Sequence, residues 1–270
     1  MRHLEIVLAI LAAAASSASA QTSSLAPAPS AEPPTRIWRV GAGYEALSIR
    51  DVSRSGRPVD ASPVTWEGRG PGVEVQYDRT SLRRLHHAQF NAGWAGGFEL
   101  GTPLRTIPRS PAEKFAHFDG RYEYRRYPFR DLGLDGLDLG FGVEGGAVFR
   151  SQTQIFDPAI EVRQRGTDVT VAAVVAGRFR RWRSVQLEIA WGNGMAVGRM
   201  STRHSTAAET DATAWGGGWL TDLAARADVR LSGGIALFTS YFTTGRGRYQ
   251  SHGASTTGRG QIMIGVAYAR

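Results

Sequence analysis

Residues 115–119 read Phe-Ala-His-Phe-Asp and set an imidazole two positions from a carboxylate. In an extended chain that spacing turns both side chains to the same face. His117 beside Asp119 could serve as a general base and its orienter, with Glu99 at the end of the preceding segment as a further acid. A second candidate lies in Tyr-Gln-Ser-His-Gly-Ala-Ser-Thr-Thr-Gly-Arg-Gly, residues 249–260, where His252 and Ser255 could form a base and a nucleophile. Each has a plainer reading. His117 can belong to a continuous polar face, and serine, glycine and threonine furnish any exposed connection. His86-His87 lacks the second cluster that a metal site needs. Gly-Arg-Gly-Pro-Gly (68–72) and Trp-Gly-Gly-Gly-Trp (215–219) lack the strand–loop–helix setting of a phosphate cradle. Neither a metal nor a cofactor is expected.

The elements that must position these residues are strands. In residues 184–198, Val185, Leu187, Ile189, Trp191, Met195 and Val197 alternate with Gln186, Glu188, Ala190, Gly192, Gly194 and Ala196. That is period-two alternation, with one apolar and one polar face. It returns in nine more segments: 36–48, 72–79, 87–100, 115–127, 137–150, 168–180, 219–231, 235–248 and 260–270. In the third of these, Phe90, Ala92, Trp94 and Phe98 form the apolar face against Gln89, Asn91, Gly93, Gly97 and Glu99. Connections alternate in length. Long ones fall near 50–71, 101–114, 151–167, 200–218 and 249–259, and short ones near 80–86, 128–136, 181–184 and 232–234. A soluble β-sandwich gives no reason for so regular an asymmetry.

The rest of the chain fits export. Arg2 and His3 precede the apolar run Ile-Val-Leu-Ala-Ile-Leu-Ala-Ala-Ala-Ala, and Ala18-Ser19-Ala20 offers small residues for cleavage, so residues 1–20 read as a signal peptide. Residues 21–35 are rich in proline, alanine and serine and read as a disordered tether, leaving 36–270 as one β domain. The 270 residues include no cysteine, so folding outside the cytoplasm relies on no disulfide. The formal charge of +8 suits an anionic partner, and export argues against nucleic acid.

The last segment places Ile262, Ile264, Val266 and Tyr268 at every second position up to the third-last residue. This ending, the ten alternating segments and the aromatics near their ends resemble bacterial outer-membrane β-barrel proteins. The usual final aromatic is replaced by Ala269-Arg270. The resemblance implies a ten-stranded antiparallel up-and-down transmembrane β-barrel in the bacterial outer membrane, with short periplasmic turns and long extracellular loops. It also implies outer-membrane lipid and lipopolysaccharide as neighbours, and assembly machinery that reads 260–270. The apolar faces then point to lipid and the polar faces to the lumen.

The lumen so defined carries both signs. Arg121, Glu123, Arg125, Glu144, Arg178, Arg180, Glu188, Asp222, Arg226, Asp228 and Arg230 all fall on polar faces. Glycine-bearing strands alternate with charged ones, which gives long side chains notches to lie across. Guanidinium and carboxylate groups in so narrow a space should pair. Arg199, Arg203, Arg246, Arg248 and Arg259 lie toward the outer ends, with Arg105 and Arg109, where they could meet phosphate groups of lipopolysaccharide. The expected protein is an outer-membrane barrel without enzymatic activity. It would be a structural, surface-binding or narrow-pore component with a charge-paired lumen. The alternative is an outer-membrane hydrolase, a protease or lipid A-modifying enzyme, with its site at the extracellular mouth. One family of lipid A deacylases similarly sets a His and a Ser near its last strands, although the Asn of its motif is missing here.

Overall fold

Alternation with β-branched and aromatic residues on one face is the signature of strands. The computed structural model describes residues 35–53, 64–81, 83–101, 106–130, 136–157, 160–182, 185–205, 212–231, 233–250 and 253–270. The expected signal peptide, and the tether up to residue 34, lie outside these. So do Ser251 and His252. The strands are β1 (Thr35–Ser53), β2 (Val64–Ser81), β3 (Arg84–Gly101), a short β4 (Thr106–Pro108), β5 (Lys114–Phe129), β6 (Leu137–Asp157), β7 (Ile160–Trp182), β8 (Val185–His204), β9 (Ala212–Arg230), β10 (Ile235–Gln250) and β11 (Gly253–Ala269). Ten of them are long and all pair antiparallel. β1 bonds to β2 on one side and to β11 on the other, which closes the sheet. The ends of the described barrel are tied together where Arg36 and Arg270 exchange backbone hydrogen bonds of 3.0 and 2.9 Å.

Closure leaves no unpaired edge, a requirement inside hydrocarbon. The outer surface carries the apolar faces. Val40, Val73, Phe90, Phe118, Val143, Val169, Ile189, Met195, Leu237 and Ile264 are all exposed. Trp38 meets Tyr77 with ring centroids 4.6 Å apart, and Phe90, Phe118 and Phe149 form a ladder spaced 6.5 and 6.4 Å across three strands. A closed barrel turning this much apolar surface outward is one that lipid surrounds.

The long outer connections are in good part sheet. β6 continues to Asp157 and β7 begins at Ile160, so most of 151–167 is paired strand. β10 and β11 likewise run on through most of 249–259. At the opposite end, Gly233 and Gly234 adopt positive φ angles of 61° and 80° in the tight turn between β9 and β10. A side chain there would be strained.

Alternation breaks once where it matters. Near the outer end of the β2–β3 pair the register shifts between Glu67 and Arg69, and Gly97 has φ 59°. This is a bulge with glycine in the left-handed region. It inverts the parity beyond it: Phe98 turns inward and is buried, and Glu99 turns outward and is exposed. Expected faces for both residues are thereby reversed.

Candidate functional site in the barrel lumen

Inward positions stack from the chain-end side toward the outer end. The first layer is a belt of charge. Arg39 on β1 donates from Nε and Nη2 to the two carboxylate oxygens of Asp228, at 2.9 and 2.8 Å, and from Nη1 to Asp78 at 2.6 Å. Asp78 also meets His87 Nδ1 at 2.6 Å and accepts from Arg226 at 3.0 Å. Glu188 accepts from Arg125 at 2.6 Å and from Arg178 at 3.3 Å, and lies 3.5 Å from Arg226. Glu123 takes the other side of Arg125 at 2.6 Å, and the Arg178 guanidinium lies 4.3 Å over the Tyr127 ring. Arg39, Arg125, Arg178 and Arg226 thus face Asp78, Glu123, Glu188 and Asp228, four cations against four carboxylates. The belt draws on β1, β2, β3, β5, β7, β8 and β9, so it crosses the lumen. Burial of such groups is tolerable only when they are paired and hydrogen-bonded, as these are.

Glycine makes the crossing fit. A Cβ at Gly142 would stand 2.9 Å from the stem of Arg125, and one at Gly146 would stand 3.2 Å from that of Arg121. Two long side chains of β5 therefore lie over notches in β6.

Above the belt, amides take over. Glu74 accepts from Gln76 at 3.0 Å, from Gln89 at 2.9 Å and from Ser240. Asn91 donates to Asp119 at 2.9 Å. Arg121 bonds Gln89, lies 3.7 Å from Glu144 and places its guanidinium 4.0 Å over the Phe242 ring. What space remains among Gln89, Arg121, Glu144, Glu188, Asp222 and Phe242 is a cavity of about 40 Å³. That holds one or two waters.

The next layer contains the candidate catalytic pair. His117 and Asp119 share the inward face of β5, with Nδ1 and carboxylate 3.2 Å apart. Glu45 of β1 lies 2.5 Å from His117 Nε2, and Arg259 of β11 donates to both Asp119 and His117 Nδ1 at 2.5 Å. A proton on Nε2 suits both neighbours, since Glu45 can accept it and Nδ1 can accept from Arg259. All four residues are buried. Glu99 is not among them, because the Gly97 bulge turns it to the outside, and Ser255 lies farther toward the outer end of β11. His252 lies outside the described residues.

Further out, one side of the lumen becomes apolar. Leu47, Ile49, Trp66, Ala95, Phe98 and Phe115 form a buried cluster on β1, β2, β3 and β5. On the other side Arg248 lies 3.3 Å from Asp168, and Arg150 lies 3.7 Å from the same carboxylate. Arg246, Arg248 and Arg259 therefore point into the lumen and cannot contact lipopolysaccharide from the wall. Strand position had suggested such contacts, but parity decides the direction. Arg199 and Arg203 do face outward and are exposed. Arg109 is bound by Glu113 at 2.8 Å and by the Ile155 carbonyl. The side chains of Arg105 and Arg180 are not described.

Two further placements differ from expectation. Arg230 is inward in parity but exposed at the rim, and no ion pair holds it among the described residues. His86 lies on β3 and not in the short connection expected near 80–86, and it faces the opposite way from His87: His87 inward to Asp78 and His86 outward to Tyr122 Oη at 2.6 Å. The apolar cluster is a feature the alternation conceals, because an inward Leu or Phe looks like noise on a polar face. Among the described residues no group of three or more His, Asp or Glu could hold a metal ion.

With this geometry the chain can be set beside known structures. The outer-membrane protease OmpT from Escherichia coli superposes with a TM-score of 0.64 at 7% identity, covering 90% of this chain and 99% of that one. The translocator domain of the autotransporter NalP from Neisseria meningitidis gives 0.45 at 12% identity, covering 86% and 88% of the respective chains. OprG from Pseudomonas aeruginosa gives 0.41 at 7%, covering 88% and 97%. No protein-family model matches the chain, and no curated protein matches it in sequence. At such identities the likeness is one of fold. Fold and apolar band together define the class: the chain is a transmembrane β-barrel, with the fold that OmpT also has.

Proposed function

We propose that this barrel is a non-enzymatic, structural and surface-binding component of the envelope, with a lumen sealed by paired charge. The observation that carries this reading is the belt of Arg39, Asp78, His87, Arg125, Arg178, Glu188, Arg226 and Asp228, which joins seven strands across the lumen. The small cavity above it and the apolar cluster beyond add to the seal. Ten strands also fall well short of the number that leaves an open porin channel. A hydrolytic role for His117 finds less support, because Glu45, Asp119 and Arg259 already occupy the polar atoms of its ring and the residue is buried. Contact with outer-leaflet lipid, and delivery by assembly machinery that reads residues 260–270, belong to the same reading.

The test is electrical. Purified protein in planar bilayers should give small or no steady current under salt conditions in which open porins conduct. A large, unselective wild-type conductance would overturn the seal and make the protein a porin.

A further inference from the structure

The belt balances its charges, and the lumen toward the outer end does not. There Arg150 of β6 and Arg246 and Arg248 of β10 line one small cavity, with Asp168 of β7 as the carboxylate among them. Asp168 lies 3.3 Å from Arg248 and 3.7 Å from Arg150, so one carboxylate serves two guanidiniums. Arg246 has no ion pair among the described residues. On the belt side of the cavity, Asp119 is taken by Arg259. Asp222, opposite Thr244, forms no ion pair among the described residues.

Small residues bring these arginines together. Asp168, Gly198 and Gly216 pair in one inward row across β7, β8 and β9. Asp168 leans over Gly198, where a Cβ would run into its carboxylate. Arg150 lies over Gly166, where a Cβ would stand 2.9 Å from Nε. Glycine thus clears the floor between β6 and β10, and arginines from both sides reach the same carboxylate over it.

Arg248 is 6% exposed, and none of its three guanidinium nitrogens has a hydrogen-bond partner within the protein. Nε of Arg246 is likewise buried and unbonded. Buried charged donors are costly until an acceptor completes them. A water would satisfy the donors and leave the charge, whereas an oxyanion answers both. Arg246 and Thr257 are inward in parity yet only half-buried, so solvent reaches this depth of the lumen. The cavity itself measures about 10 Å³, which is room for one oxygen atom.

We propose that this cavity binds a phosphate group, held by Arg150, Arg246 and Arg248. One phosphate oxygen fills the cavity, and the others face the half-buried Arg246 and the outer lumen. Asp168 holds Arg150 and Arg248 in place and cancels one of the three positive charges. The surplus that remains suits a phosphate, which carries nearly two negative charges at neutral pH, better than a chloride or a carboxylate. The site lies beyond the belt, so its failure would leave the sealed-lumen reading untouched.

The experiment is calorimetric. Folded protein in a phosphate-free maltoside detergent is titrated at neutral pH with inorganic phosphate and with a sugar phosphate monoester. Saturable binding tighter than about 1 mM is expected, with chloride weaker by at least about ten-fold. Binding of both probes assigns the site to a terminal phosphate group, and binding of inorganic phosphate alone assigns it to the free ion. R248Q should weaken binding at least about ten-fold, the loss of charged hydrogen bonds. R165Q, which removes an exposed outward arginine next to Gly166, should leave it unchanged. Folding is followed by the heat-dependent shift on gels. If R248Q does not fold, R246Q, which breaks no ion pair, should still weaken binding several-fold. Absence of saturable binding, equal binding of chloride, or wild-type affinity in R246Q and R248Q would each overturn the proposal.

Discussion

Arg39 and Asp228 are 189 residues apart and share two parallel hydrogen bonds, so the first and ninth strands are locked together across the lumen. Arg39→Ala would leave Asp228 and Asp78 buried without this cation, at a cost of about 3–5 kcal/mol. Arg39→Lys keeps the charge but cannot form the fork, so it should fall between. Urea titrations of folding into lipid vesicles, read by tryptophan fluorescence, would check the order. Equal stability for all three proteins would refute the belt.

The lipid face gives a second contrast. Ile189 is exposed near the middle of β8, and Ile189→Arg should destabilise by about 2–4 kcal/mol. Arg230→Ala, at the exposed rim, should change stability by less than about 0.5 kcal/mol. Glu188→Gln removes a charge at the inward neighbour of Ile189. With three guanidiniums around Glu188 it should cost several kcal/mol. The same titrations rank the three variants.

Gly97 isolates a backbone effect. A Cβ there would meet nothing within 4 Å, yet φ is 59°. Gly97→Ala should therefore cost about 1–2 kcal/mol through strain alone, and Gly97→Asn less, since Asn tolerates this region. A neutral Gly97→Ala would show that the bulge is not held in that conformation.

Removing bulk and balance from the belt should open it. Arg39→Ala combined with Arg226→Ala leaves carboxylates in excess, which admits water and favours cations. Planar bilayers should then show a cation-selective leak absent from wild type. Pairing Arg226→Ala with Arg230→Ala should leak no more than Arg226→Ala alone, because Arg230 lies outside the belt.

Much of this barrel is written in period two. The lipid face of β8, the inward His117 and Asp119, and the charged strands between glycine strands all follow from alternation, because a closed membrane barrel sorts side chains by parity. Three things do not follow. A single bulge at Gly97 reverses Phe98 and Glu99, and an isolated glycine does not announce its φ. Partners across the lumen, such as Arg39 with Asp228, depend on which strands come to face each other, and alternation along one strand carries no such information. The inward Leu47, Ile49 and Phe115 run against the polar face and so are legible only once the barrel is closed.

β7 spans 23 residues and β6 spans 21. At a tilted rise that is roughly 50–60 Å, about twice the depth of the hydrocarbon. Half of this wall is thus a turret of hydrogen-bonded sheet standing clear of the bilayer, paired out to Asp157 and Ile160. A surface built this way is already ordered before anything touches it. A partner meeting the rim would find its contacts preset and would lose little entropy in fixing them. A protease would find few extended segments free to enter its cleft. The height of β6 and β7, more than any single side chain, makes this part of the outward end a rigid template.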